Sequence, residues 1–331
     1  MIFDEITEIT SQINPKYYDG KTVLITGGAG FIGSWVCESL LALGANVICI
    51  DNFESGKIEN ISHLKSNSNF TFREHDVSIP FDSNVHLDYV FHMASRTGPF
   101  SLAYYPIETI RANTIGTMHA LDIAAQHHAK FTYTSTSEIY GEPSVFPTPE
   151  TYWGYANSIG PRSSYDESKR CGEAMCMAYL KEKAVDVRIV RFFNTYGPRI
   201  RADGIYGRVI PRFIDQITHD KSVTIFGDGK QTRSFSYVTD TVIGFLRLAA
   251  EDGLTGEVVN IGSPDEITIM ELAETIYQIL GKTPNYEYHP MPQDDPHRRL
   301  PDITKAEKLL SWKAKISLKE GINQMIMHDS S

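Results

Sequence analysis

The stretch K-T-V-L-I-T-G-G-A-G-F-I-G, Lys21 to Gly33, decides how this chain is read. Val23 to Ile25 form a short, wholly apolar run, as expected of a strand buried on both faces of a parallel sheet. The run breaks into Gly27, Gly28, Gly30 and Gly33, and Ser34 to Leu43 then reads as a helix. Glycine reaches backbone angles that other residues avoid, and it lets a ligand approach with no Cβ in the way. The free N–H groups of the following helix favour a pyrophosphate. Gly27, Gly30, Phe31, Ile32 and Gly33 are therefore the candidate phosphate cradle.

The next apolar run, Asn46 to Ile50, ends in Asp51, 18 residues past Gly33. A carboxylate there accepts hydrogen bonds from an adenosine ribose and repels a 2′-phosphate, which favours NAD over NADP. Asp51 and Asn52 thus join the candidate cofactor residues. The competing reading is a tight strand–helix turn that holds nothing.

Further along, strands and helices alternate as in a doubly wound α/β sheet. Phe70 to Glu74 reads as a strand ending near Asp76 and Val77, where a side chain can meet an adenine. Leu87 to His92 runs into Ser95, and ligands of such sheets lie beyond the carboxyl ends of strands. Helices are expected over Ile107–His127 and Asp166–Lys183, with strands over Lys130–Ser135 and Val187–Arg191. After Asn194 glycine turns cluster (Gly197, Gly204, Gly207, Gly227, Gly229) and the alternation fades. The expected division is an N-terminal extension (1–20), a cofactor domain (21–193) and a mainly substrate-binding domain (194–328), partly interleaved with the first.

In 331 residues, 31 basic against 41 acidic side chains give a net charge of −10, with no basic run. That balance argues against a nucleic-acid or anionic-membrane surface. Residues 1–20 carry Asp4, Glu5 and Glu8 and do not read as a signal peptide; a short helical or frayed lead-in and a cytoplasmic protein are expected. Cys37, Cys49, Cys171 and Cys176 form no C-x-x-C pair and read as reduced core residues. The 11 histidines fall into no ligand spacing, so no metal is expected.

Candidate chemistry lies in three places. Tyr165 and Lys169 are four apart and share a helix face. A nearby ammonium favours the phenolate and lowers the tyrosine toward the working pH, which suits a base for a sugar hydroxyl. Ser135, Thr136, Ser137 and Glu138 follow a strand; the hydroxyls can bind a reacting hydroxyl, and the carboxylate can polarise the substrate or exchange a proton. Arg208, Arg233, Arg298 and Arg299 supply planar forks suited to diphosphate or an acidic sugar. Each place has a plainer reading: a surface pair, a capped turn, solvated charges.

T-G-G-A-G-F-I-G, S-E-I-Y-G (Ser137–Gly141), Y-D-E-S-K-R (Tyr165–Arg170), F-N-T-Y-G-P-R (Phe193–Arg199), G-D-G-K-Q-T-R-S-F (Gly227–Phe235) and Q-D-D-P-H-R-R-L-P-D (Gln293–Asp302) resemble the extended short-chain dehydrogenase/reductase family. Within it the chain is most similar to the UDP-glucuronate decarboxylases, over roughly Lys21 to Gly321. The resemblance implies a Rossmann-like doubly wound parallel sheet with a smaller C-terminal nucleotide-sugar-binding domain, tightly held NAD, a UDP-sugar substrate and a homodimer formed through Ala103–His127 and Asp166–Lys183. It implies an internal redox cycle: oxidation at C4 with Tyr165 as base and Lys169 positioning it, loss of carbon dioxide, and re-reduction. It places Glu138, with Thr136 and Ser137, near the leaving carboxylate, and Arg299 against the uronate. Asn194, Arg208 and Arg233 match nucleotide-sugar contacts.

Sugar 4,6-dehydratases resemble the chain too, but carry Asp-Glu where Ser137-Glu138 stands, and serine is a poor proton donor to a departing hydroxyl. Two segments depart from the decarboxylase pattern: Arg96 to Phe100, where a proline-rich segment is usual, and Val209 to Phe213. They keep open a C4 dehydrogenase or 4-epimerase of another nucleotide sugar. A non-catalytic NAD-binding scaffold is the remaining alternative.

Overall fold

The computed structural model describes residues 2–201 and 207–329. Gly204 and the last two serines lie outside them. Among the described residues the strands are β1 (Thr22–Thr26), β2 (Asn46–Asp51), β3 (Phe70–Glu74), β4 (Tyr89–His92), β5 (Lys130–Thr136), β6 (Val187–Phe192), β7 (Asn194–Tyr196), β8 (Val223–Phe226), β9 (Thr232–Tyr237), β10 (Val258–Ile261), β11 (Glu266–Thr268) and β12 (Tyr286–His289). The helices are α1 (Ile2–Ser11), α2 (Phe31–Ala42), α3 (Pro99–Tyr104), α4 (Pro106–His127), α5 (Ser163–Lys183), α6 (Val209–Thr218), α7 (Val238–Ala250), α8 (Ile269–Leu280), α9 (Thr304–Leu310) and α10 (Leu318–Asp329).

Seven parallel strands form the central sheet in the order β10-β6-β5-β4-β1-β2-β3. Val23, Leu24 and Ile25 are fully buried, because helices cover both faces of the sheet. One core layer gathers α1, α2 and α7 side chains such as Ile9, Trp35 and Phe245; the other gathers those of α4 and α5. The strand order reverses between β1 and β4, and a crevice opens there at the carboxyl ends. A three-stranded sheet, β11-β9-β7, and a pair, β12-β8, build the opposite wall.

Of the helical and frayed forms expected for the N-terminal lead-in, the structure shows the helix: Ile6, Ile9 and Ile13 are buried at helical spacing, and Glu5 accepts a hydrogen bond from Tyr237. The helix after the glycine loop starts at Phe31 rather than Ser34, so Gly33 lies in its first turn. The interleaving of the two halves is concrete. β10 completes the edge of the cofactor sheet, and α7 packs on β6 and α2. Asp329 closes α10.

Cys37, Cys49 and Cys176 are buried and Cys171 is exposed; all four are free. No helix of the described residues is long and apolar enough to cross a membrane.

Candidate active site

The crevice is a cavity of about 1560 Å³ that runs from the end of β2 to the loop carrying Arg299. Its floor is the glycine loop. Gly27 has φ +73°, and a Cβ there would sit 2.6 Å from the Ala94 nitrogen. A Cβ on Gly33 would sit 2.2 Å from the Gly27 carbonyl oxygen, so the helix closes on the turn only because that atom is missing. Gly30 caps α2 without a side-chain hydrogen bond, which leaves the first N–H groups of Phe31, Ile32 and Gly33 at the cavity wall. Gly28 behaves differently. It faces the Cys37 and Cys49 sulfurs, where a Cβ would lie 2.5 Å from Cys49 Sγ, and does not line the cavity.

At the end of β2 the Asp51 carboxylate accepts from the backbone N–H groups of Ala29 (3.0 Å) and Phe53 (2.8 Å). These bonds fix its direction, while burial raises its carboxyl above the ordinary value against their pull. Asn52, Asp76 and Val77 line the same end, and Ser95 follows β4 midway. A bare turn of the glycine loop, oriented helix N–H groups, and an acid at the next strand end fit a dinucleotide.

Tyr165 and Lys169 project from the first turns of α5 into the middle of the cavity. Lys169 is 2 % exposed, and its ammonium donates to the Thr134 carbonyl at 2.8 Å. Burial pushes it down to about 7. His92 lies in the same layer, bonded to Thr26 at 2.8 Å, and burial pushes it down to about 3. The expected lowering of Tyr165 is absent. Burial raises the phenol, and its hydrogen bonds to Thr97 and Thr136 oppose that only in part. Ser137 is buried beside Thr136, whose hydroxyl accepts from the Glu138 N–H. Ser135 donates to Glu173 (2.5 Å), which also holds Arg191, so the strand end is anchored from beneath.

The sugar end is a knot of buried charge. Arg299 grips Glu138 with both terminal nitrogens, and Arg162 pairs with the same carboxylate. Burial alone would raise Glu138, but the two guanidinia hold it far below the usual carboxylate range. Glu138 is therefore ionised at neutral pH and has no proton to give, which removes half of the acid–base role allowed to it. Arg233 donates to Asp295 at 2.8 Å. Arg208 donates to Thr97 at 3.0 Å, and Asn194 lines the wall beside Arg233. Arg298 turns away: it pairs bidentately with Glu266, stacks on Phe146 and does not line the cavity.

Arg162 and Asp166 are functional candidates that the motifs did not single out. Spacing could have shown Arg162, since it stands three residues before Tyr165 and so shares its helix face. Among the described residues no cluster of side chains is arranged to hold a metal ion.

Residues 23–262 match the NAD dependent epimerase/dehydratase family. The chain is 45% identical over 310 residues to UDP-glucuronic acid decarboxylase 2 of Arabidopsis thaliana, covering 93% of this chain and 68% of that one. It is 42% identical over 335 residues to UDP-glucuronic acid decarboxylase 1 of Danio rerio, covering 99% and 79%. Among solved structures it resembles UDP-glucuronic acid 4-epimerase from Bacillus cereus, in complex with UDP-glucuronic acid and NAD, with a TM-score of 0.83 and 30% identity over 93% of this chain and 99% of that one. UDP-glucose 4-epimerase from Thermotoga maritima, with UDP-glucose, gives a TM-score of 0.84 and 31% identity over 93% and 98%. Its glycine floor, the strand order above it and these likenesses agree that the chain belongs to the NAD dependent epimerase/dehydratase family.

Proposed function

We propose that the protein is an NAD-dependent UDP-glucuronate decarboxylase. The observation that carries this reading is the placement of Glu138 between Arg162 and Arg299 in the same cavity as Tyr165 and Lys169. Paired guanidinia in a dry site recognise a carboxylate, which a neutral hexose does not offer.

NAD, when bound, supplies the acceptor and later the donor of the C4 hydride. Tyr165 takes the C4 hydroxyl proton and returns it at the end, within reach of the Thr136 hydroxyl. Lys169, fixed on the Thr134 carbonyl, keeps its helix turn against β5 and presents an ammonium to the ribose side. Once C4 is a ketone, the uronate carboxyl is β to it. Breaking the C5–C6 bond releases carbon dioxide and leaves the electron pair in an enolate, which takes a proton from solvent at C5 to give the 4-ketone that the hydride reduces. Glu138 stays ionised throughout; its charge repels the substrate carboxylate, and that repulsion eases as the negative charge moves from the carboxylate to the C4 oxygen and carbon dioxide departs neutral. Arg299 and Arg162 offset the enolate charge that replaces it.

The test is mass spectrometry of the products from purified protein, NAD and UDP-glucuronate. Loss of one carbon dioxide supports the reading, and a substrate left unchanged overturns it. A second reading is 4-epimerisation of the same sugar nucleotide, favoured by the likeness to the solved UDP-glucuronic acid 4-epimerase. Its product keeps every carbon, so the same spectrum separates the two.

The cofactor residues named along the glycine loop, Asp51, Asn52, Asp76, Val77 and Ser95 belong to this reading, as do Asn194, Arg208 and Arg233 for the nucleotide sugar. So does the division into a cofactor part over 21–193 and a sugar part over 194–328. A homodimer through α4 and α5 is part of the same proposal: Ile107, Met118 and Met177 leave apolar side chains exposed on those helices. Light scattering of the purified protein tests it. A cytoplasmic place accords with four free cysteines, and cell fractionation tests that.

A further inference from the structure

Six charged side chains close the sugar end: Glu138, Asp166 and Asp295 against Arg162, Arg233 and Arg299. Arg162 is the hub. Its Nη2 pairs with Glu138, its Nη1 lies 3.7 Å from Asp295, and its Nε lies 3.8 Å from Asp166. Three carboxylates and three guanidinia balance when all are ionised. A uronate brings a fourth carboxylate, and a dry site accepts an extra negative charge poorly unless a proton accompanies it.

The three protein carboxylates differ in how firmly they are held. Glu138 is gripped by two arginines. Asp295 hydrogen-bonds Arg233 at 2.8 Å and keeps a quarter of its side chain in solvent (26%). Asp166 is 5 % exposed and does not line the cavity, and its contact with Arg162 is too long for a hydrogen bond. Its Oδ1 has no hydrogen-bond partner, and neither has Arg162 Nε. A buried carboxylate oxygen left bare in this way is costly as an anion and cheap to protonate.

We propose that Asp166 is a positioning residue that takes up a proton as the uronate carboxylate binds, releasing Arg162 to the substrate. The inference rests on reading the cavity as a uronate site. The groups that face Asp166 pull in both directions, and burial decides the outcome. Burial first, then Glu138 across from it and Glu167 on its own helix, push its carboxyl up to about 7, against the pull of Arg162 and Arg299. In the free protein it is therefore ionised above neutrality. An arriving carboxylate raises it further, and one proton enters with the ligand.

The experiment is titration calorimetry of the NAD-loaded Tyr165→Phe protein, which leaves UDP-glucuronate unreacted, in buffers of different ionisation enthalpy. At ~pH 8 the expected uptake approaches one proton per site, and at ~pH 6, where Asp166 already carries it, uptake nearly vanishes. UDP-glucose, which lacks the carboxylate, should bind without uptake. Adding Asp166→Asn should abolish the uptake while UDP-glucuronate still binds. Binding without pH-dependent uptake, or uptake undiminished by Asp166→Asn, overturns the inference and leaves the uronate reading standing. Binding of UDP-glucose but not UDP-glucuronate overturns the uronate reading itself, and this inference with it. Should the asparagine variant fail to fold, Lys169→Met decides the matter, because Lys169 is the other group here held at about 7: uptake should persist in it, and its loss there overturns the inference.

Discussion

Lys169 stands one helical turn beyond Tyr165, yet its ammonium donates to the Thr134 carbonyl at 2.8 Å, while the phenol takes its hydrogen bonds from Thr97 and Thr136. The two halves of the Y-x-x-x-K motif are thus both fastened to the end of β5, Lys169 through the Thr134 backbone and Tyr165 through the Thr136 hydroxyl. Lys169 is tied to β5 from below, and Tyr165 is left facing the cavity, buried and raised.

That arrangement gives Lys169 a signature in stability. Burial holds its ammonium at about 7 in the folded protein, against ~10.4 in an unfolded chain. Between those values the unfolded state binds the extra proton, so stability rises with pH across that window. The NAD-free protein should gain Tm between ~pH 7 and ~pH 9, and Lys169→Met should flatten the rise. Equal slopes for the two proteins would contradict the burial argument.

Tyr165→Phe removes the proton acceptor and little else, since the ring stays packed. Turnover should fall roughly 10²–10⁴-fold, with the amount of bound NAD unchanged. Normal turnover in this variant would return the assignment of the base to the start.

Glu138→Gln leaves two buried guanidinia without their counter-charge. Breaking a buried pair from one side costs about 3–5 kcal/mol, so Tm should drop measurably. Carbon dioxide release should fall further than C4 oxidation, read as NADH absorbance in single turnovers. Equal loss of both steps would argue against a separate role for the carboxylate.

Gly33→Ala tests the floor of the cavity. The added Cβ would overlap the Gly27 carbonyl oxygen, 2.2 Å away, and a forced methyl of this kind costs about 1–3 kcal/mol. The purified variant should carry little NAD and melt earlier. Retention of full NAD content would show that the loop has another way to close.

The parts of the fold legible in sequence were those written in local periodicity. β1 and β2 follow apolar runs, and the glycines mark where the first run must turn. The outer bounds were less visible. Gly33 breaks the helical pattern in sequence but sits inside α2, because its missing Cβ matters to tertiary contact rather than to the helix. Ile6, Ile9 and Ile13 were overlooked because three apolar residues among acids look solvated until a partner is placed against them. At the site, Tyr165, Lys169 and Glu138 were readable as residue types in known spacing. Arg162 and Asp166 were not, since their meaning comes from Glu138, Asp295 and Arg299, which lie far away in sequence. Arg298 and Arg299 are adjacent in sequence, but only the backbone direction says which of them faces inward.

The crossing of the two halves has a consequence for synthesis on the ribosome. β6 has a bare edge until β10, some 66 residues later, has emerged (Phe192 to Val258). α1 rests partly on α2, but the rest of its seat forms when Tyr237 and Arg247 arrive: Tyr237 bonds Glu5, and Arg247 bonds the Gln12 carbonyl at 3.0 Å. The chain therefore has no stopping point at which its first half is finished. A nascent fragment ending near Phe193 exposes an unpaired strand edge and an amphipathic helix covered only on its α2 side, the surfaces that chaperones recognise and that aggregate when unattended.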